Sequence, residues 1–171
     1  IILLSFSALF SKILKIKFEI STFLAISMII SALYLSVIYD HIALITEILI
    51  YFGIGLFIYF ALSYLAKLRI IWRENFSNPV LVYVILIAFL WIRLSTQKLI
   101  LWDDFSHWGL ATKDLYFSNA LPRFDGVVRF LDYPPGGALF NYFVLSIPDV
   151  LRWRQQKVFS ESIALFAQGV V

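Results

Sequence analysis

Long runs without charge dominate the chain. Ile20 to Tyr39 contain no charged residue, Ile42 to Ala66 contain only Glu47, and Pro79 to about Thr96 contain only Arg93. Arg93 lies near one end of its run, where a long side chain can reach the interface. A fourth run follows Tyr133-Pro134-Pro135 and extends to Leu151, and two partial runs, Ile1 to Phe10 and Val158 to Val171, occupy the ends. A helix of about 20 apolar residues, rising about 1.5 Å each, crosses the hydrocarbon core of a bilayer. None of the runs carries the polar stripe of a helix half-exposed to water. The pattern predicts an all-α fold, a polytopic transmembrane helix bundle with a juxtamembrane helical loop on its outer side. Residues 1–96 would form N-terminal transmembrane helices, 97–132 an extracytoplasmic loop with an interfacial helix, and 133–171 further transmembrane helices. Both ends run through apolar segments and the chain opens on Ile1, so a longer protein with its first and last helices truncated is expected.

Composition agrees with the pattern. The 171 residues are 61% hydrophobic and 15% charged, with a mean hydropathy of +0.88. Soluble domains average about 45–50% apolar and about 25% charged residues. A soluble fold of this size still exposes roughly a third of its unfolded surface and could not hide so much apolar area. A soluble enzyme, a disordered tail and, with no Cys, a disulfide scaffold are therefore excluded. The net charge of +3 does not mark a nucleic-acid partner, because the basic residues are scattered at the ends of apolar runs. They mark orientation instead. Lys12, Lys15 and Lys17, then Lys67, Arg69 and Arg73, then Arg152, Arg154 and Lys157 fall in alternate connections, which the positive-inside rule assigns to the cytoplasm. Gln97 to Asp132 is then extracytoplasmic, and the expected location is the cell membrane, with membrane lipids as surroundings.

That outer loop is where chemistry concentrates. It exceeds the length at which structureless loops become uncommon, and it holds Asp103, Asp104, Asp114, Asp125 and Asp132 together with His107. Asp103 to Ser118 reads as a helix stopped by Asn119 and Pro122. On it Asp103, His107, Leu110 and Asp114 share one face, and Trp102, Phe105, Trp108, Tyr116 and Phe117 are rings suited to the headgroup layer. Asp103-Asp104 can serve as a general base or hold a hard divalent cation, Mg or Mn. The same two residues can equally be a helix cap and a favourable first-turn charge. Tyr133-Pro134-Pro135-Gly136 is a rigid start to the next helix. Gly53 and Gly55, inside a long apolar run, permit close helix packing and carry no phosphate-loop meaning. Glu161 and Gln168 share a helix face, which points either to cytoplasmic pairing of Glu161 with Arg152, Arg154 and Lys157 or to a face turned into the bundle.

Trp102-Asp103-Asp104-Phe105-Ser106-His107-Trp108-Gly109, followed by Tyr133-Pro134-Pro135-Gly136, resembles the GT-C class of membrane glycosyltransferases. The resemblance covers Leu99 to about Phe143, and Tyr133 stands where that class commonly has His. It implies a polytopic enzyme that takes a sugar from a polyprenyl-phosphate carrier and transfers it on the outer face, with the lipid-linked sugar donor as partner. Asp103 would be catalytic, acting as base toward an acceptor hydroxyl or helping to hold a metal, and Asp104 would support it. Such transfer also needs cations at the leaving phosphate. Lys113, Arg123 and Arg129 are candidates, with His107, Tyr133 and Glu161 as further substrate contacts. The alternative readings are a transporter or channel subunit, with Glu47 and Glu161 on an ion path, or a non-catalytic polytopic protein.

Overall fold

The computed structural model describes residues 1–65, 78–99, 108–122, 135–151 and 156–170. Among these residues the chain forms seven helices and no strand: α1 (Ile2–Leu14), α2 (Phe18–Ile38), α3 (Ile42–Leu65), α4 (Asn78–Leu94), α5 (Gly109–Ser118), α6 (Gly136–Val150) and α7 (Glu161–Val170). Local signals explain several of their boundaries. The α2–α3 turn is a Schellman motif built without glycine. Asp40 takes a left-handed φ of 56°, its N–H reaches the Val37 carbonyl, and the His41 N–H reaches that of Ser36 at 2.8 Å. Asp, whose short polar side chain tolerates that conformation, is suited to the position. Asn119 ends α5 in a simpler left-handed cap, with φ 54° and its N–H on the Leu115 carbonyl. Pro135 directly precedes α6, and its carbonyl accepts from the Leu139 N–H at 2.8 Å, as a rigid helix start requires.

Two helices, Phe18–Ile38 and Ile42–Ser63 within α3, are long and apolar enough to cross a membrane. Phe23, Leu35, Ile48, Phe52, Ile58 and Leu62 are exposed on them. Their other faces meet α1 and α6, where Ile29, Leu33, Ile42 and Ile50 join Leu115, Tyr116, Leu139 and Leu145 in one core. Gly53 supports the close packing expected of it: a Cβ there would lie 2.5 Å from Ile2 Cγ2 and 3.2 Å from Phe6 Cε2. Gly55 does not, since a Cβ at that position would meet open space.

The later helices are shorter than the apolar runs that encode them. α4 has 17 residues, at the lower limit for a crossing. α6 has 15 and α7 has 10, giving lengths of about 22 Å and about 15 Å against a core of about 30 Å. Pro148, which removes a backbone donor, sits in the last turn of α6. α5 packs against α6, with Thr112, Leu115 and Tyr116 buried. Leu110 and Asp114, expected on its functional face, lie beside that buried face and are half-exposed.

A contact at the end of α5 bears on orientation. Lys157, in the α6–α7 connection, donates to the Tyr116 carbonyl at 2.8 Å and to Asn119 Oδ1 at 2.9 Å. The alternation of basic loops assigns Lys157 to the cytoplasm and Asn119 to the outside, yet a hydrogen bond joins them. Single cysteines at Ser118 and Gln156, both exposed in this Cys-free chain, are therefore expected to react with an impermeant maleimide from the same side of the membrane. Labelling from opposite sides would restore the simple alternation and break this contact.

Candidate functional site

α6 organises the polar interior. On its α5 side, Asn141 Nδ2 donates to Thr112 Oγ1 at 3.4 Å, Tyr142 Oη donates to Asn119 Oδ1 at 2.8 Å, and Tyr116 Oη donates to Asp149 Oδ2. On its α3 side, Tyr51 Oη donates to the Val150 carbonyl at 3.0 Å. Lys157 completes this cluster, its ammonium 5.3 Å from the centre of the Tyr116 ring and bonded to a last-turn carbonyl of α5. Desolvation draws Lys157 below the ordinary lysine pKa, and the Asp149 carboxylate acts in the opposite direction. Tyr116 is fully buried, with its ring edge-on to Tyr142 and Phe159. Two buried oxygens in this interior, Asn141 Oδ1 and Asp149 Oδ1, have no hydrogen-bond partner.

At the opposite end of the α5–α6 pair lies a cavity of about 310 Å³. Among the described residues it is lined by Trp108, Thr112, Gly137, Ala138, Asn141 and Gln168. Three elements meet there: the residue that leads into α5, the first turns of α6 and the last turn of α7. Gly137 and Ala138 keep the α6 wall low, and a Cβ on Gly137 would meet nothing within 4 Å. The lining combines an indole, two carboxamides and a hydroxyl, and no formal charge occurs among the described lining residues. Gln168 is exposed and lines this space.

The residues singled out from the sequence distribute unevenly. Asp103, Asp104, His107, Arg123, Arg129 and Tyr133 lie outside the described residues. Lys113 is exposed on α5, with its ammonium 6.0 Å from the centre of the Phe159 ring, and is not part of the described cavity wall. Glu161 opens α7, and its Oε2 accepts the Leu99 N–H at 3.0 Å. The expected pairing of Glu161 with Lys157 is not what forms, because Lys157 bonds to α5 instead. Glu161 and Gln168 thus act at different places, one at the segment after α4 and the other at the cavity. Among the described residues no group of three or more His, Cys, Asp or Glu side chains could hold a metal ion.

Thr112, Asn141 and Asp149 were not distinguished by the sequence reading. Asn141 carried a usable signal, a lone carboxamide inside the apolar run of α6, where an unpaired polar group is costly. Asp149 carried a similar one beside Pro148. Thr112 carried none, since a threonine on a short helix has many unremarkable settings. No protein-family model matches the chain, and neither a curated protein nor a solved structure matches it.

Proposed function

We propose that this protein is an integral membrane glycosyltransferase that moves a sugar from a polyprenyl-phosphate carrier to an acceptor on the extracytoplasmic face. The observation that supports this reading most concerns one residue at the end of each motif segment. Trp108 belongs to the Asp-Asp motif and Gly137 directly follows Tyr133-Pro134-Pro135-Gly136. Though 29 positions apart, both line the same cavity. Asp103 precedes Trp108 by five residues, so even a fully extended chain keeps it within about 18 Å of the cavity wall. Six of the eight residues assigned to the site fall in the two segments that lead into α5 and α6.

In this reading Asp103 accepts the proton of the acceptor hydroxyl as that oxygen attacks the anomeric carbon. The bond from that carbon to the phosphate oxygen breaks, and the polyprenyl phosphate leaves with the bonding pair. Asp104 holds the charge and orientation of Asp103. Arg123 and Arg129 are the cations nearest in sequence to the α6 motif and would offset the charge on the leaving phosphate. Catalysis by positioned carboxylate and guanidinium groups fits a membrane boundary, where reduced dielectric strengthens each contact. The test supplies polyprenyl-phosphate hexose to membranes that contain the full protein and retain their own acceptors. Release of polyprenyl phosphate above that of matched empty membranes is expected. Release no faster than in empty membranes, for hexose and pentose donors alike, would overturn the reading.

A further inference from the structure

We propose that the turn between α1 and α2, with Tyr59 and Phe60 of α3 beside it, is a docking surface for the headgroup of an anionic phospholipid. Lys12, Lys15 and Lys17 carry the argument. They fall within six consecutive positions, and Glu19 is the only acidic residue before Asp40. All three are exposed, and among the described residues none of their ammonium groups has a carboxylate partner. The turn that presents them is held in one tight form. Ser11 Oγ donates to the Ile16 carbonyl at 2.8 Å, and Lys15 takes a left-handed φ of 54°. A fixed backbone lowers the ordering cost of bringing several cations onto one ligand. Lys12 reaches across to α3, where its ammonium lies 5.7 Å from the centre of the Tyr59 ring and 5.9 Å from that of Phe60. The rings stabilise the cation there and leave its charge uncompensated.

The surroundings identify the anion as a lipid. α2 begins directly after Lys17 and is long and apolar enough to cross a membrane, so the turn stands at the headgroup layer of a bilayer that α2 enters. Tyr59 is exposed there, an amphipathic ring of the kind that gathers at that depth. Ile13, Leu14, Ile20 and Phe23 are each more than half exposed around the lysines. A soluble anion would leave these side chains in water, whereas the acyl chains beneath a headgroup cover them. The other end of α2 has the opposite character. The α2–α3 turn holds Asp40 and His41 with no lysine or arginine, and Glu47 follows, exposed on α3. Anionic lipid is therefore favoured at one end of α2 and not at the other. Phosphatidylglycerol, a phosphodiester without its own cation, fits the lysines. Phosphatidylcholine carries a quaternary ammonium beside its phosphate and gains less.

The experiment places the full protein in phosphatidylcholine nanodiscs with a small fraction of quencher-bearing lipid. The chain has no cysteine, so Phe23→Cys and Leu35→Cys, both at exposed positions of α2, can each carry a single bimane fluorophore. They lie about 9 Å and about 27 Å along the helix from Lys17. The quencher, a doxyl group high on one acyl chain, is carried either by phosphatidylglycerol or by phosphatidylcholine. Phosphatidylglycerol is expected to quench the Phe23→Cys label with about tenfold higher relative affinity, as three exposed ion contacts of about two- to threefold each would give. At the Leu35→Cys label the two lipids should quench alike. Lys12→Gln, Lys15→Gln and Lys17→Gln should each lower the preference about two- to threefold, and the triple variant should abolish it. Added salt should weaken it with all three lysines in place, a measurement that needs no change in the turn. Equal quenching by the two lipids at Phe23→Cys, or the same preference at both labels, would overturn the proposal. So would a preference that survives the triple substitution, or single variants that are all without effect. Labelled lipid enters both leaflets and no sugar donor is used, so the result depends neither on orientation nor on the transferase reading.

Discussion

Asp103→Asn is expected to cut sugar transfer by about 10²–10⁴-fold, with the protein still inserted and folded. The substitution preserves the shape of the side chain and its hydrogen-bonding reach. It removes the basicity that takes up the acceptor proton and the charge that could hold a cation. The loss should appear in kcat, with KM for the lipid-linked donor little changed, because the proton is transferred only as the new bond forms. Asp104→Asn should be milder, since a supporting carboxylate acts through the geometry of its neighbour. Initial rates of polyprenyl phosphate release at saturating donor separate these outcomes. Native turnover in Asp103→Asn would remove the residue from the site.

The parts of the fold that were legible in the sequence are those fixed by local chemistry. Asn119 ended the helix it was expected to end because Asn tolerates left-handed backbone and bonds the last turn. Pro135 started α6 because proline suits a helix start and disfavours what precedes it. The apolar runs of α2 and α3 became long helices for want of any residue that stops them before Asp40 or Leu65. Length alone says less in the second half of the chain. A run of apolar residues states only that its surroundings are apolar, and protein can supply those as well as lipid. The run that ends at Leu151 became a 15-residue helix packed on α2, α3, α5 and α7, and its burial comes largely from those neighbours. Charge counting likewise does not register the contact that Lys157 makes. A lysine at a helix C-terminus is held by carbonyls of that helix, whichever side its sequence neighbours suggest.

The candidate site divides along the same line. The two motifs could be read because each is contiguous in sequence. That Trp108 and Gly137 line one cavity could not, since it depends on how α5 docks along α6. The bond between Thr112 and Asn141 joins residues 29 positions apart, and no periodicity links them. Gln168 was legible as a polar group that an apolar helix must hide or wet, but its destination was not. Docking of α5 therefore shapes the cavity, and Tyr116 is a fully buried part of that docking.

Tyr116→Phe is expected to destabilise the protein by about 1–3 kcal/mol, and the double variant Tyr116→Phe with Asp149→Leu by much less. The reasoning turns on what each change leaves behind. In the native protein the Tyr116 hydroxyl donates to Asp149 Oδ2, while Asp149 Oδ1 already has no partner. Losing the hydroxyl removes that donor from a carboxylate whose other oxygen is buried and unpaired. Removing both polar groups replaces the pair with apolar contact between α5 and α6, which in similar cases is close to neutral. Tyr116→Ala removes the ring as well. A fully buried aromatic in contact with Tyr142 and Phe159 should then cost about 3–5 kcal/mol, and α5 should undock. Thermal unfolding in detergent micelles supplies the stabilities, and amide exchange across residues 109–118 reports docking of α5 directly. Tyr116→Ala should exchange fast there while α2 and α3 stay protected. A double variant less stable than Tyr116→Phe alone would show that Asp149 stabilises this seam through some contact other than the tyrosine. Its carboxylate would then have to be reassigned.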